Sequence, residues 1–406
     1  MHVLLVEPSF PSNQCEFVRA LASVGARVTG IGEAPPQAIP EETRQQLYAY
    51  EQVPSVVHEE SMLDAVRRVQ GREWVDRLEA TVEAHILPVA RVREACGIPG
   101  TTVETAYLCR DKPAMKAFLR RQGIPCAQSD RVRSGDEARA FAARVGFPLI
   151  LKPPAGAGAA GTERVDDESG LERAIRSHGL LDGAELAIEE FVEGHEAFYD
   201  TITIGGVIAH EFISHYYPRV LDAMRTRSVN PYFIATNRVG SDSYREVKEL
   251  GRRVVEAMGI GTSATHMEWF FGPKGLKFSE IGCRPPGVGA WDLYCAANDI
   301  DVYREWAMGI VHGRPEAVPS RRYSAAILNL RPERDGRIAG YDGLDEVNRK
   351  VGEWIIDVHL PPPGTGTQGV EAGYMANAWI RLKHPDYDTL REILDWVGRT
   401  LRVRVQ

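Results

Sequence analysis

The segment from Thr265 to Arg284, THMEWFFGPKGLKFSEIGCR, decides how this chain is interpreted. Two runs rich in apolar residues flank Gly-Pro-Lys-Gly, a sequence typical of a tight hairpin. We predict a three-residue loop over 273–275, with Gly275 in a positive-φ conformation. That register places Glu268 directly opposite Glu280, with Cβ atoms about 4.5 to 5.5 Å apart.

The predicted pair of acids indicates a metal site. Two facing carboxylates repel each other unless one is protonated or a cation lies between them. Carboxylate oxygens suit a hard ion such as Mg²⁺, so we interpret Glu268 and Glu280 as metal ligands. The alternative is a solvated hairpin whose register is shifted by one residue, because the register is inferred from turn chemistry alone.

The composition is that of a globular protein with several packed units. The chain has 406 residues, 44% apolar and 26% charged, which exceeds one hydrophobic core and predicts about two to four units. A net charge of -8 and a pI near 5.8 argue against a general nucleic-acid binder. The six cysteines include no Cys-x-x-Cys pair and indicate buried thiols in a reducing cytoplasm. No signal peptide is expected, and no apolar run reaches the roughly 18 residues of a membrane span.

The first unit begins with a β-α-β pattern. His2 to Val6 is an apolar run, and Asn13 to Val24 has helical periodicity before a second strand. The Gly-x-Gly-x-x-Gly fingerprint is absent, so the pattern predicts a Rossmann-like unit without a dinucleotide site. Amphipathic stretches at 62–70 and 74–95 follow, and the unit is expected to end near Tyr107.

Two lysines and a glycine-rich loop are candidate phosphate contacts. Lys112 stands at the start of a helix that Asp111 can cap, and Lys152 ends a predicted strand. The loop Gly156-Ala-Gly158-Ala-Ala-Gly161 follows that strand. Its small residues allow backbone N–H groups to approach phosphate oxygens, although the sequence is not that of a standard P-loop. Ordinary surface lysines and a plain mobile loop are the alternatives.

Two further segments carry candidate binding groups. The run Glu189 to Glu196, EEFVEGHE, follows a predicted strand, where main-chain groups can bind an adenine edge and a carboxylate can accept ribose hydroxyls. An acidic turn is the alternative. The Arg284 guanidinium suits a phosphoryl group or a substrate carboxylate, and a structural salt bridge is its alternative.

Histidines and arginines between the predicted elements are candidate substrate contacts. His266 has the same strand parity as Glu268, so we expect it to face the same cleft, as a substrate contact or a core histidine. The run from His215 to Arg227, which includes Arg225, is predicted to be a loop. It could form a pocket for the second substrate, or it could be a surface excursion.

The order of these motifs resembles the ATP-grasp superfamily. The motifs are Arg110-Asp-Lys112 with Gly123-Ile-Pro, the strand ending at Lys152 with its glycine loop, Ile188 to Glu196, and Glu268 with Glu280 to Arg284. The match covers about residues 100–310, and the chain looks most like the carboxylate-amine ligases of the amino-acid ligase type.

The resemblance implies an α/β fold class, with α+β character in the grasp lobes, a Rossmann-like β-α-β domain before them and a small C-terminal subdomain after them. The implied domains are 1–107 before the grasp, 108–193 for the first lobe with its flap, 194–311 for the second lobe with the metal site, and 312–406 for the C-terminal subdomain.

The resemblance also implies roles for individual residues. ATP would be bound by Lys112, Lys152, Gly156, Gly158, Gly161, Glu189, Val192 and Glu196. Mg²⁺, with Mn²⁺ as an alternative ion, would be bound by Glu268 and Glu280, Arg284 would be catalytic, and His266, His215, Arg225 and Arg227 are candidate substrate contacts. Many members have Glu-x-Asn where this chain has Glu280-Ile-Gly282, so a water or another carboxylate such as Glu211 would have to replace the amide ligand.

The activity implied by the resemblance is ATP-dependent ligation of a carboxylate to an amine through an acyl phosphate, with release of ADP and phosphate. The expected partners are small carboxylate and amine substrates, amino acids in the first place, without nucleic acid or membrane and with a homodimer as a candidate assembly. Three alternatives remain: a biotin-carboxylase-like enzyme, a purine-pathway ligase, and an ATP-binding regulator without turnover.

Overall fold

The structure is a computed structural model that describes residues 1–155, 161–287, 289–370 and 374–406. The glycines predicted as flap residues at positions 156 and 158 therefore lie outside the described residues. Gly161 is described and has a positive φ of 69°.

The N-terminal part is a parallel sheet with helices between its strands. The strands are β1 (His2–Val6), β2 (Arg27–Gly32), β3 (Ala49–Gln52) and β4 (Arg77–Glu79), in the order β3-β2-β1-β4. The helices are α1 (Gln14–Ser23), α2 (Glu41–Gln46), α3 (Glu59–Gln70), α4 (Ile86–Cys96) and α5 (Val103–Arg110). The predicted β-α-β opening is confirmed. The interpretation of 74–95 as one amphipathic stretch is wrong, because β4 lies within it.

The next part is a small antiparallel sheet covered by helices. Its elements are α6 (Lys112–Arg121), β5 (Ser129–Val132), α7 (Gly135–Val145), β6 (Leu149–Lys152), β7 (Glu163–Val165), α8 (Glu168–Ser177) and β8 (Leu186–Glu190), with strand order β5-β8-β6-β7. The predicted cap is confirmed, because the Asp111 carboxylate accepts a hydrogen bond of 2.9 Å from the Ala114 N–H. This cap fixes Lys112 at the first position of α6.

A large antiparallel sheet occupies the second half of the chain. Its strands run in the order β13-β12-β9-β10-β11-β14-β17-β16. They are β9 (His195–Ile204), β10 (Val207–Tyr217), β11 (Tyr232–Ala235), β12 (Ser263–Gly272), β13 (Gly275–Gly282), β14 (Ser324–Leu330), β16 (Ile355–His359) and β17 (Ala378–His384). A separate pair consists of β15 (Ile338–Asp342) and β18 (Arg402–Val405).

Helices cover both faces of the large sheet. They are α9 (Val220–Ala223), α10 (Arg245–Ala257), α11 (Ala290–Asn298), α12 (Val302–His312), α13 (Leu344–Val351) and α14 (Tyr387–Thr400). The prediction of a loop from His215 is wrong at its start, because β10 continues to Tyr217. The four-part domain division stays a prediction, and β14, β16 and β17 extend the same sheet that contains β9 to β13.

The β12–β13 hairpin has the predicted acid pair but a different turn. Gly272 pairs with Gly275, so the loop has two residues, and Gly275 has the predicted positive φ of 74°. A register shift then places Glu268 opposite Glu280. The shift is a bulge at Ser279, next to Phe278, whose N–H donates to Pro125 O at 2.7 Å. The predicted pair is confirmed because the bulge offsets the shorter loop.

Candidate functional site

A cavity of about 620 Å³ lies between the small sheet and the large sheet. Its described lining includes these residues of the predicted site: Lys112, Lys152, Glu189, Val192, Glu196, His266, Glu268, Glu280 and Arg284. The N-terminal part contributes side chains from the loops after β1 and β4 and from the start of α1, including Glu83 and Gln14. These loops lie at the carboxyl ends of neighbouring parallel strands, where ligands of α/β sheets commonly bind.

One face of the large sheet forms the floor of the cavity. Side chains alternate along β9, so Glu196, Phe198 and Asp200 lie on this cavity face, with His266 and Glu268 beside them on β12. The side chains of the intervening residues lie on the other side of the large sheet, which we call the opposite face. The parity prediction that His266 and Glu268 share a cleft is confirmed.

The two predicted metal ligands lie beside two lysines. Lys112 Nζ is 3.3 Å and Lys152 Nζ is 3.9 Å from Glu280 Oε2. Burial alone would raise the pKa of Glu280, but Lys112 and Lys152 outweigh it and hold that pKa below its ordinary value. Glu280 is therefore ionised at neutral pH, and both lysines are held next to the acid pair.

Glu189 forms a buried ion-pair cluster with two lysines. Its Oε2 is 2.6 Å from Lys116 Nζ and 3.0 Å from Lys152 Nζ. Burial opposes ionisation of Glu189, yet Lys116 and Lys152 lower its pKa to about 2. Glu189 thus contacts lysines here, and its predicted contact with adenine stays a prediction. Lys116 was missed, although it lies four residues after Lys112 on the same helix face.

His266 is held by a buried carboxylate. Its Nδ1 is 2.7 Å from Asp200 Oδ1, and Tyr294 donates its hydroxyl proton to the other oxygen of Asp200. Burial would lower the pKa of His266, but Asp200 and then Glu268 raise it to about 9. His266 Nε2 lies 3.6 Å from Glu268 Oε1. The cavity face therefore carries an imidazolium beside the acid pair at neutral pH.

Arg284 reaches the cavity through an ion pair with Glu83. Arg284 Nε donates to Glu83 Oε2, and Arg110 Nη1 donates to Glu83 Oε1 at 2.7 Å. A Cβ added at Gly282 would lie 3.2 Å from Glu83 Oε2. The Glu83 carboxylate therefore occupies the space into which a side chain at position 282 would extend. A side chain at position 282 would therefore crowd the ion pair of Glu83 with Arg284.

Glu196 lies at the edge of the cavity near α9. It accepts a hydrogen bond of 2.8 Å from the Val220 N–H. Burial and then Glu268 raise the pKa of Glu196 to about 8. A carboxyl group in this position can bind hydroxyl groups of a ligand in either protonation state. Its predicted contact with ribose stays a prediction.

Four described residues that were predicted for the site do not line the cavity. His215 lies on the opposite face, where it bonds His195 at 2.9 Å and Tyr244 at 2.7 Å. Arg227 pairs with Asp335 at the surface. Arg225 and Gly161 are the other two. Glu211 also lies on the opposite face, 2.6 Å from Lys248 Nζ, so it does not replace the amide ligand. We do not retain His215, Arg225 and Arg227 in the proposed site.

Comparisons with known proteins identify the family of this chain. The family model of the ATP-grasp domain matches residues 117–299. An L-arginine-specific L-amino acid ligase of Bacillus subtilis is 30% identical over 291 residues, which cover 70% of this chain and 69% of that protein. The chain therefore belongs to the ATP-grasp family.

Two further proteins show how far the similarity extends. Alanine–anticapsin ligase of Bacillus subtilis is 27% identical over 233 residues, covering 52% of this chain and 48% of that protein. The chain thus spans about half the length of that relative. The crystal structure of an L-amino acid ligase from Bacillus licheniformis superposes with a TM-score of 0.77 at 19% identity, covering 100% of this chain and 98% of that one. This superposition shows a shared fold over the whole chain.

Proposed function

We propose that this protein is an ATP-dependent carboxylate-amine ligase that forms an amide or peptide bond. The observation that carries the proposal is the placement of Glu268 opposite Glu280, beside Lys112 and Lys152, in one large cavity. Acids that bind a cation and lysines that bind phosphate are both needed for phosphoryl transfer. The L-arginine-specific relative supports a substrate that is an amino acid.

The donor atoms fit a divalent ion held jointly with nucleotide phosphates. Within the described ranges, no group of three or more His, Cys, Asp or Glu side chains forms a metal site by itself. Glu268 and Glu280 would supply the protein oxygens for Mg²⁺, or for Mn²⁺ as an alternative. Such an ion neutralises charge on the transferring phosphoryl group.

The chemistry follows from the weak electrophilicity of a carboxylate. An oxygen of the substrate carboxylate attacks the γ-phosphorus of ATP and displaces ADP, which gives an acyl phosphate. The amine then attacks the acyl carbon, loses a proton and displaces phosphate. No side-chain nucleophile is required, because ATP supplies the leaving group.

In these steps the residues of the chain would bind and orient the substrates and stabilise the charge that develops on the reacting groups. Lys112 and Lys152 place positive charge against the phosphates, and Glu189 keeps Lys152 oriented. Arg284 and the imidazolium of His266 provide donors for oxygens that gain charge at the reacting centre. Glu196 and Val192 would contact the nucleoside. Residues 156–161 would form the flap that excludes water from the acyl phosphate.

We also infer where the protein acts and how it assembles. Among the described helices, none is both long and apolar enough to cross a membrane. We infer a cytoplasmic ligase without nucleic-acid partners, which acts on small molecules and is a candidate homodimer. Sedimentation velocity of the purified chain tests the assembly.

The decisive experiment traps the acyl phosphate. The protein is incubated with ATP, Mg²⁺, pooled amino acids and hydroxylamine, and products are identified by mass spectrometry. An amino-acid hydroxamate with matching ADP release supports the ligase. ADP release that requires only bicarbonate indicates a carboxylase, release that requires a ribotide amine indicates a purine-pathway ligase, and ATP binding without ADP indicates a regulator.

A further inference from the structure

One wall of the cavity is aromatic. Phe198 and Tyr216 have ring centroids 4.8 Å apart, and Tyr216 and Tyr374 have centroids 5.1 Å apart. Met224 and Met375 also line the cavity. We call these five side chains the aromatic wall. They are aromatic or thioether side chains, unlike the charged lysines and glutamates of the part of the cavity that we assign to the ATP phosphates.

The aromatic wall begins at the acid pair. Phe198 is the residue of β9 that pairs directly with Glu268 of β12. The Phe198 ring also lies 5.1 Å from the His266 ring, centroid to centroid. A carboxylate that attacks a phosphoryl group near Glu268 would therefore carry its own substituent next to this wall. The position of the wall therefore suits the side chain of the carboxylate substrate, which is the substrate that is phosphorylated.

Three charged side chains near the wall, Glu83, His266 and Arg219, are already paired, and Glu196 is assigned to the nucleoside in the proposed function. Both oxygens of Glu83 accept hydrogen bonds from arginines, and His266 is bonded to Asp200. Arg219 bonds Asp222 at 2.9 Å and stacks over the ring of Phe191. A charged substrate side chain bound here would lose its hydration, and none of these groups offers it an unpaired opposite charge. Its transfer from water to the wall is therefore unfavourable.

The tyrosines of the wall are neutral. Tyr374 donates its hydroxyl proton to the carbonyl of Tyr232. Burial, followed by Glu268 and Glu196, raises the pKa of Tyr216 well above its ordinary value, so its phenol keeps its proton. The wall therefore presents ring faces and thioethers, which bind apolar groups by burial and by sulfur–aromatic and ring–ring contact.

We propose that the acid activated by this ligase is an amino acid with an apolar side chain, which packs against the wall of Phe198, Tyr216, Tyr374, Met224 and Met375. This inference rests on the proposed function and narrows its substrate class. It separates the chain from the arginine specificity named for one of its relatives.

A panel of single amino acids with hydroxylamine tests the inference. Norleucine and lysine are compared because they share a chain length and differ in charge, and methionine is compared with glutamate for the same reason. We expect kcat/KM for hydroxamate formation to be at least about 10-fold higher for the apolar member of each pair. Preference for lysine, arginine or glutamate would overturn the inference and leave the ligase proposal standing. Absence of any hydroxamate would overturn both.

A variant locates the pocket. Met224→Ala should lower kcat/KM about 10-fold for phenylalanine and methionine, much less for alanine, and leave the KM for ATP unchanged. The control is Leu181→Ala, an apolar side chain that is 63% exposed in another part of the chain, which should change none of these values. Equal losses for alanine and phenylalanine would contradict a side-chain pocket here. Met375→Ala gives a second measurement if Met224→Ala fails to fold.

Discussion

His266 and His215 belong to the same sheet but lie on opposite faces of it, and at neutral pH their environments make His266 cationic and His215 neutral. His266 lies beside Asp200, and its pKa is raised to about 9. His215 lies beside His195, and burial lowers its pKa to about 3. The comparison shows that the same kind of side chain is charged on the cavity face and neutral on the opposite face at neutral pH.

Strand parity and burial therefore determine the charge of these two histidines, although the residue type is the same. Both histidines are candidate substrate contacts in the sequence. His266 has the same parity as Glu268, whereas His215 precedes Tyr216 and so points away from the cavity. Paired substitutions on the two faces test this contrast.

The largest effect is expected from the acids of the two faces. Glu280→Ala removes a carboxylate from the acid pair and should lower ADP formation by about 10³-fold or more, since one charged group at the reacting centre is worth about that much. The matched control is Glu211→Ala on the opposite face, which should retain nearly full activity. Both variants are measured by coupled ADP release, and full activity of Glu280→Ala would refute the metal assignment.

The two histidines should give pH dependences of opposite sign. His215 has a lowered pKa, so its contribution to stability is present above about pH 6.5 and is lost as pH falls toward 3. By pH 4.5 the loss is about 3 kcal/mol. His266 has a raised pKa, so its contribution is present below about pH 6.5 and is lost as pH rises through 9. Urea unfolding of His215→Gln should show a flatter acid limb than the native chain, and that of His266→Gln a flatter alkaline limb. Unchanged limbs in both variants would contradict the assignment.

Activity should separate the same two variants. His266→Gln removes a cation beside the reacting centre and should lower kcat by about 10- to 100-fold. His215→Gln should leave kcat close to that of the native chain at 25 °C, because it lies on the opposite face. Steady-state kinetics with saturating ATP measure this. Equal losses of kcat in the two variants would remove the functional difference between the faces.

The smallest effect is expected at Tyr244, whose hydroxyl bonds His215 at 2.7 Å. Tyr244→Phe removes this hydrogen bond and should lower the free energy of unfolding by about 1 kcal/mol. It should leave kcat unchanged. A loss of activity without a loss of stability would place the opposite face in the catalytic mechanism and contradict the comparison.

Much of the fold could be predicted from local patterns. The strand His2–Val6 and the helix that begins at Lys112 follow from an apolar run and a capping residue. The short strand β4 was missed because it has only three residues and helical turns begin four residues after its end. Glu83, which follows β4, was missed for the same reason.

The positions of site residues could be predicted where strand parity determines them. They could not be predicted where packing between distant segments determines them. His266 follows from its parity with Glu268, whereas the pairing of Glu268 with Glu280 was predicted from a three-residue loop and holds because a bulge offsets the two-residue turn. The bulge at Ser279 depends on a hydrogen bond between Phe278 and a distant segment, which no local pattern contains. The pairing of Glu189 with Lys116 also joins distant parts of the chain. Because the site is buried, either charge without its partner would cost folding free energy, so the two residues are required together.

The continuity of the large sheet limits how the chain can be shortened. β14 pairs with β11 on one side and with β17 on the other. Removal of residues 312–406 would leave Tyr232 to Ala235 as an open sheet edge of apolar side chains. Such an edge invites pairing between molecules. Expression of the ATP-binding part alone would then yield aggregates. A purification tag is therefore better added to a terminus of the whole chain than used to replace its last strands.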